Sequence, residues 1–195
     1  YGEAGKAVRE CETVVAVMGI NKSIEREGQD RYDIQLPADQ REFLQEIYKV
    51  NPNIILVLVA GSSLAVNWEN EHLPAIVNAW YPGEQGGTAV AEVLFGDYNP
   101  AGRLPLTYYK SLEQLSTFDD YDITKGRTYQ YFKKDVLYPF GYGLSYTTFK
   151  YSNLKVDDAG KTVNVSFTLK NTGKRAGDEV AQVYVRLPEI AGGDR

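Results

Sequence analysis

The sequence predicts an α/β fold, a mostly parallel sheet flanked by helices, followed by antiparallel strands of an incomplete β-sandwich. Three observations predict it. Residues 14–18 and 54–60 are short apolar runs, rich in β-branched residues and free of charge, as strands buried on both faces are. Segments with apolar residues at helical spacing alternate with such runs. Beyond Tyr151 the apolar period falls to two, the mark of half-buried antiparallel strands.

The elements follow in order. Residues 3–12 place Ala4, Ala7, Val8 and Cys11 on one helical face, and the lone cysteine is expected as a small buried apolar residue. After the strand at 14–18 comes a polar loop dense in charge, with Glu25, Glu27 and Asp30 among Arg26 and Arg31. Pro37 opens a helix at a position where its missing N–H is harmless. Phe43, Leu44, Ile47 and Tyr48 form that helix's apolar stripe, and Asn51-Pro52-Asn53 ends it. The strand at 54–60 runs into the turn Gly61-Ser62-Ser63. A third strand is expected at 75–80, a helix at 88–95 with Val90, Val93 and Leu94 inward, and a short fourth strand at 103–108. Glu69, Glu71 and His72 read as a surface cluster. Trp68 and Trp80 read as core or domain-interface residues before sugar platforms. The glycine-rich residues 83–87 match no nucleotide-binding spacing and read as structural.

From 110 to 149 the chain is irregular, and ten of its fifteen tyrosines lie between Tyr98 and Tyr151. Such a segment either wraps its domain or contacts a ligand, and wrapping is the favoured reading. Residues 162–169 and 179–185 then alternate apolar and polar as sandwich strands. Three regions result: 1–109 as part of an α/β domain, 110–149 as a tyrosine-rich wrapping segment, and 150–195 as the opening of a sandwich. Both domains read as incomplete, so the chain is expected to be a piece of a longer protein.

Composition excludes several function classes. A formal net charge of −5 argues against nucleic acid, which wants a basic face. No apolar run is long enough for a transmembrane helix. A single histidine, His72, leaves no basis for a histidine metal site or a Ser-His-Asp triad. No cofactor and no metal are expected. The charged loop lies where a strand meets a helix, the place where open α/β sheets gather ligands. On residue types alone it is either a solvated surface loop or a site whose carboxylates are tuned by nearby guanidinium groups.

Four stretches in fixed order carry a resemblance. They are Ile24-Glu25-Arg26-Glu27-Gly28-Gln29-Asp30-Arg31 with Leu36-Pro37; residues 79–87 through Leu94-Phe95-Gly96-Asp97; Asn99-Pro100-Ala101-Gly102-Arg103-Leu104-Pro105; and residues 138–149. In this combination the chain resembles the C-terminal part of family 3 glycoside hydrolases, the β-glucosidase and β-xylosidase group. Residues 171–180 resemble the start of a fibronectin type III domain. The resemblance implies a retaining β-glycosidase acting on terminal glucose or xylose, periplasmic or extracellular. Its nucleophilic aspartate would lie on a barrel domain absent from these residues, and its acid/base would be a glutamate on a loop of the α/β domain. By the family pattern that glutamate is Glu27, with Glu25 the competitor; Gln29 stands where the family has a tyrosine-like residue. The implied partners are a carbohydrate substrate and the missing barrel, and the chain alone is expected to be inactive. The arginines are expected to pair with Asp30 or other carboxylates and to leave Glu27 alone. The alternative is a carbohydrate-binding or structural module without turnover. A flavodoxin-like cofactor domain is excluded, because no phosphate loop follows the first strand.

Overall fold

The computed structural model describes residues 2–158 and 160–185. They fall into two compact units, one drawn from residues 2–98 and Leu104–Tyr142, the other from Asn99–Arg103 and the described residues of 143–185.

In the first unit α1 (Gly2–Glu10) leads to β1 (Val14–Gly19), α2 (Ala38–Val50) to β2 (Ile54–Val59), and α3 (Asn67–His72) to β3 (Ala75–Asn78), with α4 (Gly86–Phe95) after them. The three strands are parallel, in the order β1-β2-β3. Strand β1 runs level with β2: Val14 lies opposite Ile54 and Gly19 opposite Val59. The chain therefore leaves both strands at the same carboxyl edge. Ala16 and Met18 share a buried face with Leu56 and Leu58, and α2 seals it with Leu44 and Ile47. Leu44, Ile54 and Leu56 have no exposed surface. Pro37, at φ −49, presets the start of α2, and the Asn51 N–H donates to Ile47 O at its end.

Several expectations need correction. Helix α1 stops at Glu10, so Cys11 falls beyond its apolar face and is exposed, its Sγ donating to Val8 O at 3.5 Å. Strand β1 is buried on one face only. It is an edge strand, and among the described residues nothing fully covers Val15 and Val17, which are 47% and 65% exposed. The third strand ends at Asn78, two residues early, because Trp80 takes a left-handed φ of 54. Residues 103–108 form no strand. Pro105 has no N–H to give, and the segment pairs irregularly with residues 137–142 through Leu104 N to Tyr142 O (2.8 Å) and Tyr108 N to Tyr138 O (2.9 Å).

Residues 110–142 of this unit hold only α5 (Thr128–Tyr131) and two single 3₁₀ turns. Tyr138 stacks on Tyr142 with centroids 4.9 Å apart, Tyr108 meets Tyr138 edge-on, and Tyr109 meets Phe132. These rings pack on one another. In α4, Val90, Val93 and Leu94 are half-buried. Gly86 is buried against the ring of Pro82, where a Cβ would come within 2.5 Å, so the glycine-rich turn closes on its own proline rather than on the sheet.

The second unit contains β4 (Phe149–Asp158) and β5 (Val163–Asn171), an antiparallel pair with a register shift between Ser152 and Lys155, where Asn153 has φ 55. Strand β4 was not anticipated; the alternation at 162–169 matches β5. Residues 179–185 are not a strand. Glu179 instead accepts from Arg103 Nη2 (2.8 Å) and from the Tyr151 hydroxyl (3.1 Å).

Gly19 marks the end of β1 with φ 149, and a Cβ there would lie 1.8 Å from Val59 O. Gly19→Ala is expected to destabilise the protein by about 3 kcal/mol or more, since the backbone neighbour cannot move aside. Gly87→Ala, in a helix with open space around it, is expected to stabilise by about 0.5–1 kcal/mol. Urea unfolding of the two variants beside the wild type checks both signs.

Candidate functional site

The loop from Ile20 to Leu36 is held at both ends and in the middle. At its start Gln40 of α2 treats Gly19 as a strand would: Oε1 accepts the Gly19 N–H (2.9 Å) and Nε2 donates to Gly19 O (2.8 Å). Asn21 then turns the chain. Its Oδ1 accepts from Ser23 N (2.9 Å) and Ser23 Oγ (2.6 Å), and its carbonyl accepts from the N–H groups of Ile24 and Glu25. Near the end, Ile34 O accepts from Ala65 N (2.8 Å), and Leu36 is 2% exposed in the core.

Between these anchors Arg26 and Gln29 exchange backbone hydrogen bonds in both directions, at 3.1 and 2.9 Å. That two-residue hairpin places Glu27 and Gly28 at its tip, and Gly28 supplies the positive φ, 74, that the turn requires. Gln29 bonds back to Ser23 O through Nε2 (3.4 Å).

The two glutamates meet opposite circumstances. Glu25 is ion-paired with Arg31 Nε at the base of the hairpin. Ser62, in the turn after β2, lies 2.7 Å from each Glu25 carboxyl oxygen. Arg31 Nη2 donates to Ser62 Oγ (2.8 Å) and to Ser63 O (3.0 Å). The Arg31 and Glu25 side chains are only 10% and 24% exposed, so the pair is shielded as well as directional. Glu27 is exposed, and among the described residues it has neither an ion pair nor a hydrogen-bonded side chain. Arg31 thus takes Glu25 rather than Asp30, and Arg26 makes no ion pair among the described residues.

An open cleft of about 1090 Å³ runs along the loop, lined among others by Gly28, Gln29, Arg31, Tyr32, Arg41 and Phe118. Tyr32 and Phe118 are 99% and 71% exposed. No group of three or more His, Cys, Asp or Glu among the described residues is placed to hold a metal ion. No helix among them is long and apolar enough to cross a membrane.

Two features escaped the sequence reading. Ser62 read only as a turn residue, because nothing in a Gly-Ser-Ser string says which carboxylate it will face. Glu69 read as surface, yet it is 2% exposed. A signal was present: Val66, Glu69 and Leu73 are spaced as one helical face, and all three are buried. Burial pushes the Glu69 carboxyl above its ordinary value, opposed by a backbone hydrogen bond and by the charges of Arg41 and His72. Trp68 packs against the core and lies edge-on to Tyr48 at 5.3 Å.

With this geometry in hand, comparisons with known proteins give one answer. Residues 1–146 match the model of the glycosyl hydrolase family 3 C-terminal domain. The chain is 47% identical over 196 residues to a xylan 1,4-beta-xylosidase of Xylanibacter ruminicola, covering 90% of this chain and 22% of that protein. It is 37% identical over 201 residues to a periplasmic beta-glucosidase of Salmonella typhimurium, covering 94% and 26%. Among solved structures, a family 3 beta-glucosidase of Bifidobacterium adolescentis matches with a TM-score of 0.82 at 31% identity, covering 88% of this chain and 27% of that one. The chain spans about a quarter of the length of the curated relatives it matches.

Glu69 generates a pH dependence. Its folded-state affinity for a proton exceeds that of the unfolded chain, so its contribution to stability is full below the ordinary value of 4.5 and is lost as pH rises through the raised one. Glu69→Gln, neutral at every pH, is expected to gain stability relative to the wild type as pH rises from about 4.5 to 8. Urea midpoints across that range measure the gap; a gap independent of pH contradicts the assignment.

Proposed function

Because the chain belongs to the glycosyl hydrolase family 3 C-terminal domain family, we propose that it is the acid/base-bearing part of a retaining β-glycosidase. The enzyme removes terminal β-linked glucose or xylose from oligosaccharides or glycosides, in a periplasmic or extracellular setting. Glu27 is the acid/base. The nucleophile is an aspartate on a barrel domain outside these residues; Asp119, Asp120 and Asp122 lie in the tyrosine-rich segment rather than at a barrel strand end.

One observation carries the choice of Glu27. Both oxygens of Glu25 are already taken, by Arg31 and Ser62. A carboxyl that must give a proton to a glycosidic oxygen, and later take one from water, needs an oxygen free to meet substrate. Glu27, at an exposed hairpin tip without a partner, has both.

The steps follow from two carboxyl groups about 5–5.5 Å apart in a retaining site. As the aspartate attacks the anomeric carbon, Glu27 protonates the departing oxygen and the C–O bond breaks. A glycosyl ester on the aspartate results, with Glu27 ionised. Water then attacks the same carbon, Glu27 takes its proton, and the ester bond breaks, which restores both carboxyl groups to their starting states. A carboxyl on a loop tip lets the half-site from this domain be brought to the other without strain in the sheet.

A second reading, carbohydrate binding without turnover, is favoured by the exposed Tyr32 and Phe118 along the cleft, since exposed rings stack on sugar faces.

The isolated chain is expected to leave an aryl β-glycoside intact, while the full-length protein hydrolyses it. In that protein Glu27→Ala is expected to lower kcat/KM about 10²–10⁴-fold for a phenyl glycoside and far less for a dinitrophenyl glycoside, whose leaving group needs no proton. Steady-state kinetics with the two substrates checks it. Should Glu25→Ala give that pattern and Glu27→Ala not, the acid/base is Glu25.

A further inference from the structure

The loop that carries Glu27 has few ties to the rigid part of the fold. Most of its hydrogen bonds are local: Asn21 to its neighbours, Arg26 to Gln29, Gln29 to Ser23. Beyond its two ends its hydrogen bonds to the sheet run through the base of the hairpin, where Glu25 and Arg31 meet the Ser62-Ser63 turn beside Ile24, which packs on the core. That turn follows β2, the central strand, whose Leu56 and Val57 are 0% and 1% exposed. The turn is thus set by the best-packed strand of the unit.

We infer that Ser62 is a positioning residue for the acid/base step: its hydroxyl, held between Arg31 and both oxygens of Glu25, sets where the Glu27 hairpin stands. The inference rests on the Glu27 reading above. The chemistry of a hydroxyl suits the place. It carries one proton to give and lone pairs to receive, so it accepts from Arg31 while donating to Glu25. Alanine does neither. A lysine ammonium can only donate, because it has no lone pair with which to accept from Arg31. Threonine preserves both roles. Without the hydroxyl the Glu25–Arg31 pair still closes the hairpin, but only the Arg31 contact to Ser63 O still ties that base to the β2 turn. The hairpin then pivots as a body, and Glu27, two residues from Glu25 at the tip, moves with it.

A displaced acid slows the first bond cleavage only where the leaving group needs a proton. Misplacement of a reacting group by about 1 Å costs on the order of 10²-fold. Ser62→Ala in the full-length enzyme is therefore expected to lower kcat/KM for a phenyl glycoside about 10- to 100-fold. For a dinitrophenyl glycoside kcat/KM, which reports only the steps through formation of the glycosyl ester, should stay within about 3-fold, with Tm close to wild type, because that leaving group needs no proton. Ser62→Thr is expected to return the phenyl rate to within about 3-fold of wild type, since the hydroxyl is kept. Equal losses on both substrates, or no loss on the phenyl glycoside, overturn the inference. Should Ser62→Ala fail to fold, Arg31→Lys carries the same comparison, for it keeps the charge and loses the fork that reaches Glu25, Ser62 and Ser63 together. A leaving-group-selective loss supports the positioning role, and a uniform loss contradicts it. Glu27→Gln run beside them separates the two readings. If Glu27→Gln itself lacks the selective loss, the acid/base assignment has failed; if it shows the loss and Ser62→Ala and Arg31→Lys do not, only the positioning role has.

Discussion

The level pairing of β1 with β2 is the constraint on which the rest of the first unit depends. Because Gly19 stands opposite Val59, the loop after β1 and the turn after β2 leave the sheet side by side. The approach is close enough that only glycine fits at position 19. Gln40 then seals the exposed peptide of Gly19 from the side. Everything the loop later does follows from this start: a serine on one strand's turn comes to face a carboxylate on the other strand's loop.

That meeting leaves two glutamates, two residues apart, in opposite surroundings. A partly shielded carboxylate between a guanidinium fork and a hydroxyl has its oxygens committed, and gains geometry at the expense of freedom. The exposed one at the hairpin tip has no side-chain partner among the described residues. Glycine at 28 makes the separation possible, since the positive φ it tolerates closes the turn between Arg26 and Gln29 and lifts Glu27 away from the paired base.

Much of this was legible beforehand. The parallel strands and α2 follow from unbroken β-branched runs and from a stripe of Phe43, Leu44, Ile47 and Tyr48, and these signals are local. The failures are where tertiary context decides. Cys11 matched a helical face but lay one residue past the helix end. Residues 103–108 looked like a strand, and Pro105 with an irregular partner made them a ragged pair. Glu69 carried a charge and was assigned outward, although its spacing with Val66 and Leu73 pointed in; the packing of α3 outweighed the cost of burying one carboxyl. In the loop, residue types and order named Glu25 and Glu27 but could not part them, because the partner that occupies Glu25 is Ser62, distant in sequence and close only once the two strands pair.

Product analysis in the presence of azide tests the central claim most directly. Azide attacks a glycosyl-enzyme without needing a general base, so it rescues an enzyme whose acid/base is missing and leaves a glycosyl azide of retained configuration. The full-length protein bearing Glu27→Ala, given a dinitrophenyl β-glycoside and azide, is expected to yield the β-glycosyl azide by proton NMR, while the Glu25→Ala protein yields only the free sugar. The β-glycosyl azide from Glu25→Ala, and none from Glu27→Ala, would contradict the assignment of both residues.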